Sequence, residues 1–264
     1  MAILTANLNR PDMARSDFRS PRLYIDGPLS ANAVVPLDRD RSNYLGNVLR
    51  LGAGDAVLAF NGRDGEWRTT IEGGKRPTAL RIDARVREQT QPADLRYVFA
   101  PLKHARLDYM VQKAVEMGAT ELQPVITRFT QVARVNLERM QANAIEAAEQ
   151  CGILAVAAIA EPLPLDRFVS ERDASRLLIF CDEEAEVANP VEALASENGP
   201  GNGKPGIDVL IGPEGGFAPE ERESLLRQSR VRRLSLGPRI LRADTAAVAA
   251  LAVVQTTIGD WGKG

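Results

Sequence analysis

Cysteine is scarce. Cys151 and Cys181 are the only two in 264 residues, and neither sits in a CxxC or zinc-type spacing. That excludes a disulfide framework, gives no metal site, and reads as two reduced thiols of a cytoplasmic protein. Long apolar runs are missing too. The longest, Ala246 to Val254, covers nine residues, against about 20 for a membrane-spanning helix. Residues 1–20 carry Arg10, Arg15 and Arg19 without an apolar stretch, so no secretory signal is read there. Neither charge sign is in large excess: 33 Lys+Arg and 35 Asp+Glu leave a net charge of −2, which on its face argues against a nucleic-acid partner. The glycine loop at 212–216 is not of the GxGxxG type, and the phosphate loop GxxxxGK[ST] is absent as well. The single histidine, His104, stands near a predicted helix start, where a surface residue is the plainer reading than a general base.

What is present has order. Hydrophobic residues make up 44%, enough for a real core. The charge is unevenly spread: residues 1–110 hold 17 Lys+Arg against 13 Asp+Glu, a balance of +4, and residues 111–264 hold 16 against 22, a balance of −6. A positive N-terminal part on an acidic body suits polyanion docking by that part. Residues 1–20 read as a polar arm. Short strand-like runs follow at 22–25, 33–37, 56–60, 66–71 and 80–86, separated by the turns GAGD and NGRDG and interrupted by one helical piece, RDRSNYLGNVLRL. They predict a small barrel or sandwich over residues 21–95.

From residue 96 onward strands and helices alternate, which predicts an α/β domain with a parallel sheet. Apolar residues at 107, 110, 111, 114, 115 and 117 form a helical stripe that Gly118 stops. ELQPVIT reads as a strand, and Asn136 caps a helix that Gly152 ends. LAVAAIA, RLLIF and DVLI read as strands buried on both faces, PEERESLLRQS as a helix, VRRLSL as a strand, and Thr245 opens the last helix.

Two of these strands run into glycine loops. DVLIGPEGGFAPEE goes from strand to loop to helix, with glycines at 212, 215 and 216 that let the backbone turn and approach a ligand. A tight connection alone would use them too. With Glu214 inside and no lysine, the loop suits a cationic or zwitterionic ligand. In LSLGPRILRADTAAVAAL, Asp244 or Thr245 can cap the final helix. Arg239 and Arg242 are harder to place, because a buried unpaired guanidinium is costly; they face carboxylates, solvent or an anionic substrate. Loops that end neighbouring strands define a crevice where α/β ligands bind.

LIGPEGGFAPEE together with LSLGPRILRADTA resembles the ribosomal RNA uridine-N3 methyltransferases of the SPOUT superfamily. VQKAVEMGATELQPVIT, AIEAAEQCG and YLGNVLRLGAGD look like other segments of that family, so the likeness covers residues 20–258. It implies a C-terminal trefoil-knot α/β domain behind a PUA-like RNA-docking β-barrel, a homodimer, and S-adenosylmethionine as methyl donor. The implied substrate is a uridine of 16S ribosomal RNA in the small subunit. Ile211, Gly212, Pro213, Gly215, Gly216, Leu236, Gly237, Ile240, Leu241 and Thr245 would hold the donor. Arg239 and Arg242 would stabilise the uridine anion, and Glu214 or Asp244 would accept its proton or offset the donor's charge. Arg22, Lys103, Lys113 and Arg128 are candidates for RNA phosphates. Two positions depart from the family: Asp244 replaces the usual Glu of RTETA, and Ile153 an arginine. A non-catalytic ribosome-assembly protein and a SPOUT enzyme with another target are the competing readings; the three glycines of GPEGG weigh against the first.

Reversing the charge at several of Arg10, Arg15, Arg19 and Arg22 is expected to weaken RNA binding and flatten its dependence on salt. Binding titrations across a salt series check this; an unchanged slope removes the arm from the interface.

Overall fold

The computed structural model describes residues 20–74, 76–132, 134–186, 189–197 and 206–261. Nearly all of the predicted arm, including Arg10, Arg15 and Arg19, lies outside them. The chain divides into two compact units, Met1–Gln89 and Thr90–Gly264.

The first unit is a five-stranded sheet in the order β1-β3-β4-β5-β2. Its strands are β1 (Arg22–Tyr24), β2 (Val34–Pro36), β3 (Ala56–Phe60), β4 (Glu66–Gly73) and β5 (Pro77–Arg87). Alternation decides which face is buried: Val57 lies opposite Thr69, Thr69 opposite Ile82, and Ile71 opposite Leu80. All five of these residues are buried. The NGRDG turn is held by Asn61, whose Oδ1 accepts the Arg63 and Asp64 amides at 3.0 and 2.8 Å. The Leu29 amide, 2.9 Å from the Asp64 carboxylate, holds that carboxyl below its ordinary value, helped by Asn61. Gly65 is required at the turn's end: its φ is +83°, and a Cβ would lie 2.3 Å from the Arg87 carbonyl oxygen.

The predicted helical piece is not one helix. It divides into α1 (Arg39–Asn43) and a π-helical turn, Tyr44–Val48. Gly46 weakens the helix here and sits against Pro77, where a Cβ would be 3.1 Å from the ring. Leu45 is fully buried in the core of the unit.

The second unit is built on a parallel sheet, β12-β10-β11-β6-β7-β8, with a short β9 pairing β7. In chain order it contains β6 (Leu95–Phe99), α2 (His104–Glu116), β7 (Glu121–Ile126), α3 (Leu137–Cys151), β8 (Ala158–Ile159), β9 (Leu163–Pro164) and α4 (Leu165–Glu171). Then come β10 (Leu177–Cys181), α5 (Pro190–Ala195), β11 (Ile207–Ile211), α6 (Pro219–Leu226), β12 (Val231–Leu234) and α7 (Ala243–Thr257). The α2 stripe packs as its spacing predicts: Leu107, Met110, Val111, Ala114 and Val115 are buried. Asn136 caps α3 through the Arg139 amide, and Gly152 ends it in the left-handed region at φ 65°. The run LAVAAIA departs from the expectation. Only Ala158 and Ile159 form strand, because β8 meets only Glu121 and Leu122 of β7, at the sheet's end.

The sheet's amino end carries buried charge. Asp208 of β11 is fully buried and accepts Nε and Nη2 of Arg96 at 3.0 and 3.1 Å and Nε of Arg176 at 2.7 Å. Its partners arrive with β6 and just before β10, so the cluster helps to fix the register of three strands. On α7, Gln255 donates to the Met117 carbonyl at 2.8 Å, and a Cβ on Gly118 would meet it at 2.3 Å. Among the described residues no helix is long and apolar enough to cross a membrane.

Arg22 needs correction. It is 6% exposed, its Nε is 2.8 Å from the fully buried carboxylate of Glu66, and Arg87 binds the same carboxylate at 2.8 Å. It is a structural ion pair and not a free phosphate ligand. Glu66→Ala should cost about 3–5 kcal/mol, the usual penalty for breaking a buried pair, read as a lower urea midpoint for the first unit.

Candidate active site

Parallel pairing sets three strand ends level. Cys181 lies opposite Ile211 and opposite Leu234, and each is the last residue of its strand. The loops that follow, 182–186, 212–218 and 235–242, therefore leave the sheet side by side. They enclose a cavity of about 590 Å³, a size suited to a small-molecule ligand. Apolar Ile211, Leu234, Leu236 and Ala246 line it together with residues of the three loops.

Glycine shapes these loops. A Cβ on Gly212 would lie 2.5 Å from the Phe217 ring, which packs edge-on against Phe180 with centroids 5.2 Å apart. Gly216 has φ +71°, and a Cβ there would meet the Glu183 carboxylate at 2.4 Å; Gly237 has φ +96° with nothing close by. Glu221 ties down the loop's exit. Its two oxygens accept the Arg128 and Ala218 amides at 2.8 and 2.9 Å, the second being the glutamate half of a capping box.

The structure gathers most of the predicted residues. Ile211, Gly212, Pro213, Glu214, Gly216, Leu236, Gly237, Arg239, Ile240, Leu241 and Arg242 line the cavity. Arg239 and Arg242 are exposed, and their side chains carry no ion pair or hydrogen bond among the described residues. Ile240 between them is 100% exposed. Three predicted residues are off the wall. Gly215 packs on Phe129, where a Cβ would meet it at 3.2 Å, and Asp244 and Thr245 lie in the first turn of α7. Asp244 does not occupy the cap position either, since Arg242 does and offers no side-chain cap. It accepts the Thr245 amide from within the helix at 2.8 Å. Of the remaining phosphate candidates, Lys103 and Arg128 are exposed. Lys113 is held by both Glu116 oxygens at 2.7 Å, so its charge is already matched. His104 opens α2.

Other residues come to the site unannounced by any motif. Arg106, in the first turn of α2, donates Nε to Asp244 at 3.0 Å and Nη1 to Glu214. The Arg106 hydrogen bond holds the Asp244 carboxyl below its ordinary value, outweighing partial burial, with the Thr245 amide adding to it. Its stabilising contribution is therefore in force above about pH 4 and is lost as pH falls through the lowered value. A carboxylate so favoured as an anion is a poor proton acceptor. On the loop 182–186, Asp182 is buried and receives Arg222 at 3.1 and 3.0 Å and Arg233 at 2.7 Å. Burial pushes its carboxyl up, yet these hydrogen bonds leave it lowered. The acidic run DEEAE after RLLIF is the available signal for this loop. For Arg106 the sequence offers none.

Known proteins match this arrangement. A model of the RNA methyltransferase domain matches residues 89–255, and one of the RNA methyltransferase PUA domain matches residues 37–82. The ribosomal RNA small subunit methyltransferase E of Rickettsia conorii is 31% identical over 236 residues, 89% of this chain and 94% of that one. The chain belongs to the ribosomal RNA small subunit methyltransferase E family. A member of it from Neisseria gonorrhoeae, solved with S-adenosyl methionine, superimposes with a TM-score of 0.77 at 27% identity, covering 92% of this chain and all of that one. A Legionella pneumophila protein solved with bound SAM gives 0.79 at 30% identity, covering 92% and 99%. Against the family pattern, the shorter Asp244 still reaches Arg106, and Ile153 packs on the apolar core, leaving no cation at that position.

Gly212→Ala forces Phe217 out of place and is expected to cost about 1–3 kcal/mol, as overpacking does. Thermal unfolding should show Tm lower by roughly 3–10 °C.

Proposed function

We propose that the chain transfers a methyl group from S-adenosylmethionine to N3 of a uridine in 16S ribosomal RNA. The observation that carries this reading is a cavity lined by two glycine loops and by two arginines whose side chains have no partner among the described residues. The donor set fits the cofactor. Main chain at 211–216 and 236–241 can hold adenosine and methionine groups beside the apolar lining. The cavity is lined by Asp182, Glu183, Glu184 and Glu214 beside Arg222, Arg239 and Arg242, a mixture of signs that suits a zwitterionic ligand. When bound, the cofactor supplies a methyl group activated by its positively charged sulfur.

The chain's own side chains must handle the uridine. N3 is a weak acid and, while protonated, a poor nucleophile. As the proton leaves, charge spreads to O2 and O4. The guanidinium groups of Arg239 and Arg242 present fixed paired donors suited to those oxygens or to adjacent phosphates. Arg106 engages both candidate carboxylates, and of the two Glu214 is the better placed for a proton because it lines the cavity; its bond to Arg106 must then loosen. Holding N3 in line with the methyl contributes several kcal/mol more. The PUA-like unit would dock RNA, and the alanine-rich α7, with Ala246, Ala249 and Ala252 only partly buried, would let a second copy approach closely.

Arg242→Ala should leave cofactor affinity nearly intact and cut methyl transfer at least tenfold, about 1.4 kcal/mol of barrier. Full activity in that variant excludes Arg242 from the chemistry. Mass spectrometry of 16S ribosomal RNA from cells lacking this protein should show N3-methyluridine missing, and an unchanged level sinks the substrate assignment.

A further inference from the structure

Arg106 stands outside the cavity wall, yet it touches two of the segments that form or border it. Its guanidinium spans the GPEGG loop through Glu214 and the first turn of α7 through Asp244. The loop follows β11 and the helix follows β12, so these two sides of the cavity are connected through a residue on a third element, α2. The Arg106 side chain is 35% exposed, that of Asp244 is 18% exposed and that of Glu214 is 43% exposed. Surface pairs of this kind add little to stability. Nη2 of Arg106 is buried and makes no hydrogen bond among the described residues. What the geometry does supply is position: one planar, rigid fork fixes two carboxylates from two backbone segments at once.

We infer that Arg106 is a positioning residue which clamps the GPEGG loop to the start of α7 and thereby sets the width of the cofactor cavity. The inference rests on the cavity being the cofactor site. Asp244 is the inner jaw of the clamp and Glu214 the outer one, and Glu214 is also the jaw that must yield if it takes a proton. Arginine is needed for the shape of its fork. Lysine offers a point charge and can satisfy the two carboxylates less well.

The test compares wild type with Arg106→Ala, Arg106→Lys and Asp244→Asn. Hydrogen exchange in ligand-free protein should quicken in residues 212–218 and in 243–246 together when Arg106 is alanine. Calorimetry with S-adenosylmethionine should show affinity about tenfold weaker, a coupling of ordinary size, with Arg106→Lys falling between alanine and wild type. Asp244→Asn combined with Arg106→Ala should be clearly less than additive, since both remove the same contact. Unchanged exchange in both segments, or wild-type affinity in Arg106→Ala, overturns the clamp. If wild-type protein itself binds no S-adenosylmethionine, the cofactor reading fails, and the exchange measurement still decides whether the clamp exists. Should alanine unfold the protein, Arg106→Lys and Asp244→Asn carry the same comparison.

Discussion

The level pairing of β10 with β11 and β12 is the constraint on which the site depends. Parallel strands release their chains on one side, and the shared register of Cys181, Ile211 and Leu234 brings three loops to a common height. Beyond those residues the ladder stops, so the loop backbones have polar groups to offer a ligand. A slip of one residue in either pairing would turn an apolar lining residue outward and reverse the faces of the strand. The charge cluster on Asp208, at the opposite end of β11, makes such a slip costly in the β10–β11 pairing, because Arg176 joins it just before β10.

Charge is then sorted around the cavity by use. Asp182 is spent on Arg222 and Arg233, and Asp244 on Arg106. Among the described residues Arg239 and Arg242 are left without carboxylates of their own. An arginine already paired within the protein would have to give up that partner before meeting a substrate anion, and here nothing has to be given up. The acidic balance of this half of the chain is thus compatible with work on RNA, because the local arrangement matters more than the sum.

Much of this is legible in the sequence where spacing or a turn residue carries the information. The five strands of the first unit, the α2 stripe, the Asn136 and Gly152 caps and the two glycine loops follow from period and backbone chemistry. The central strand β6 does not. Arg96 interrupts its apolar pattern, and TQPAD before it reads as a linker, yet Arg96 is there because Asp208 awaits it from 112 residues away. Arg22 misleads for the same reason: a sequence shows an arginine but not the buried glutamate that claims it. That Asp244 accepts a helix amide follows from its place at the helix start, and only the fold reveals the guanidinium on its other side. The knotted threading that the family likeness implies lies beyond any periodicity argument.

The contacts that complete the site are long in sequence. Arg106 meets Asp244 across 138 residues, and the three cavity loops all fall between residues 182 and 242. A ribosome making this chain must therefore deliver nearly all of it before the pocket can exist. The first unit, a mixed sheet in which β1 and β3 pair in parallel and the other pairs are antiparallel, closes over much shorter distances and can be assembled while the rest is still being synthesised. The first unit would thus be in place before the pocket is, and any early stop in translation would leave a chain able to form the former without the latter.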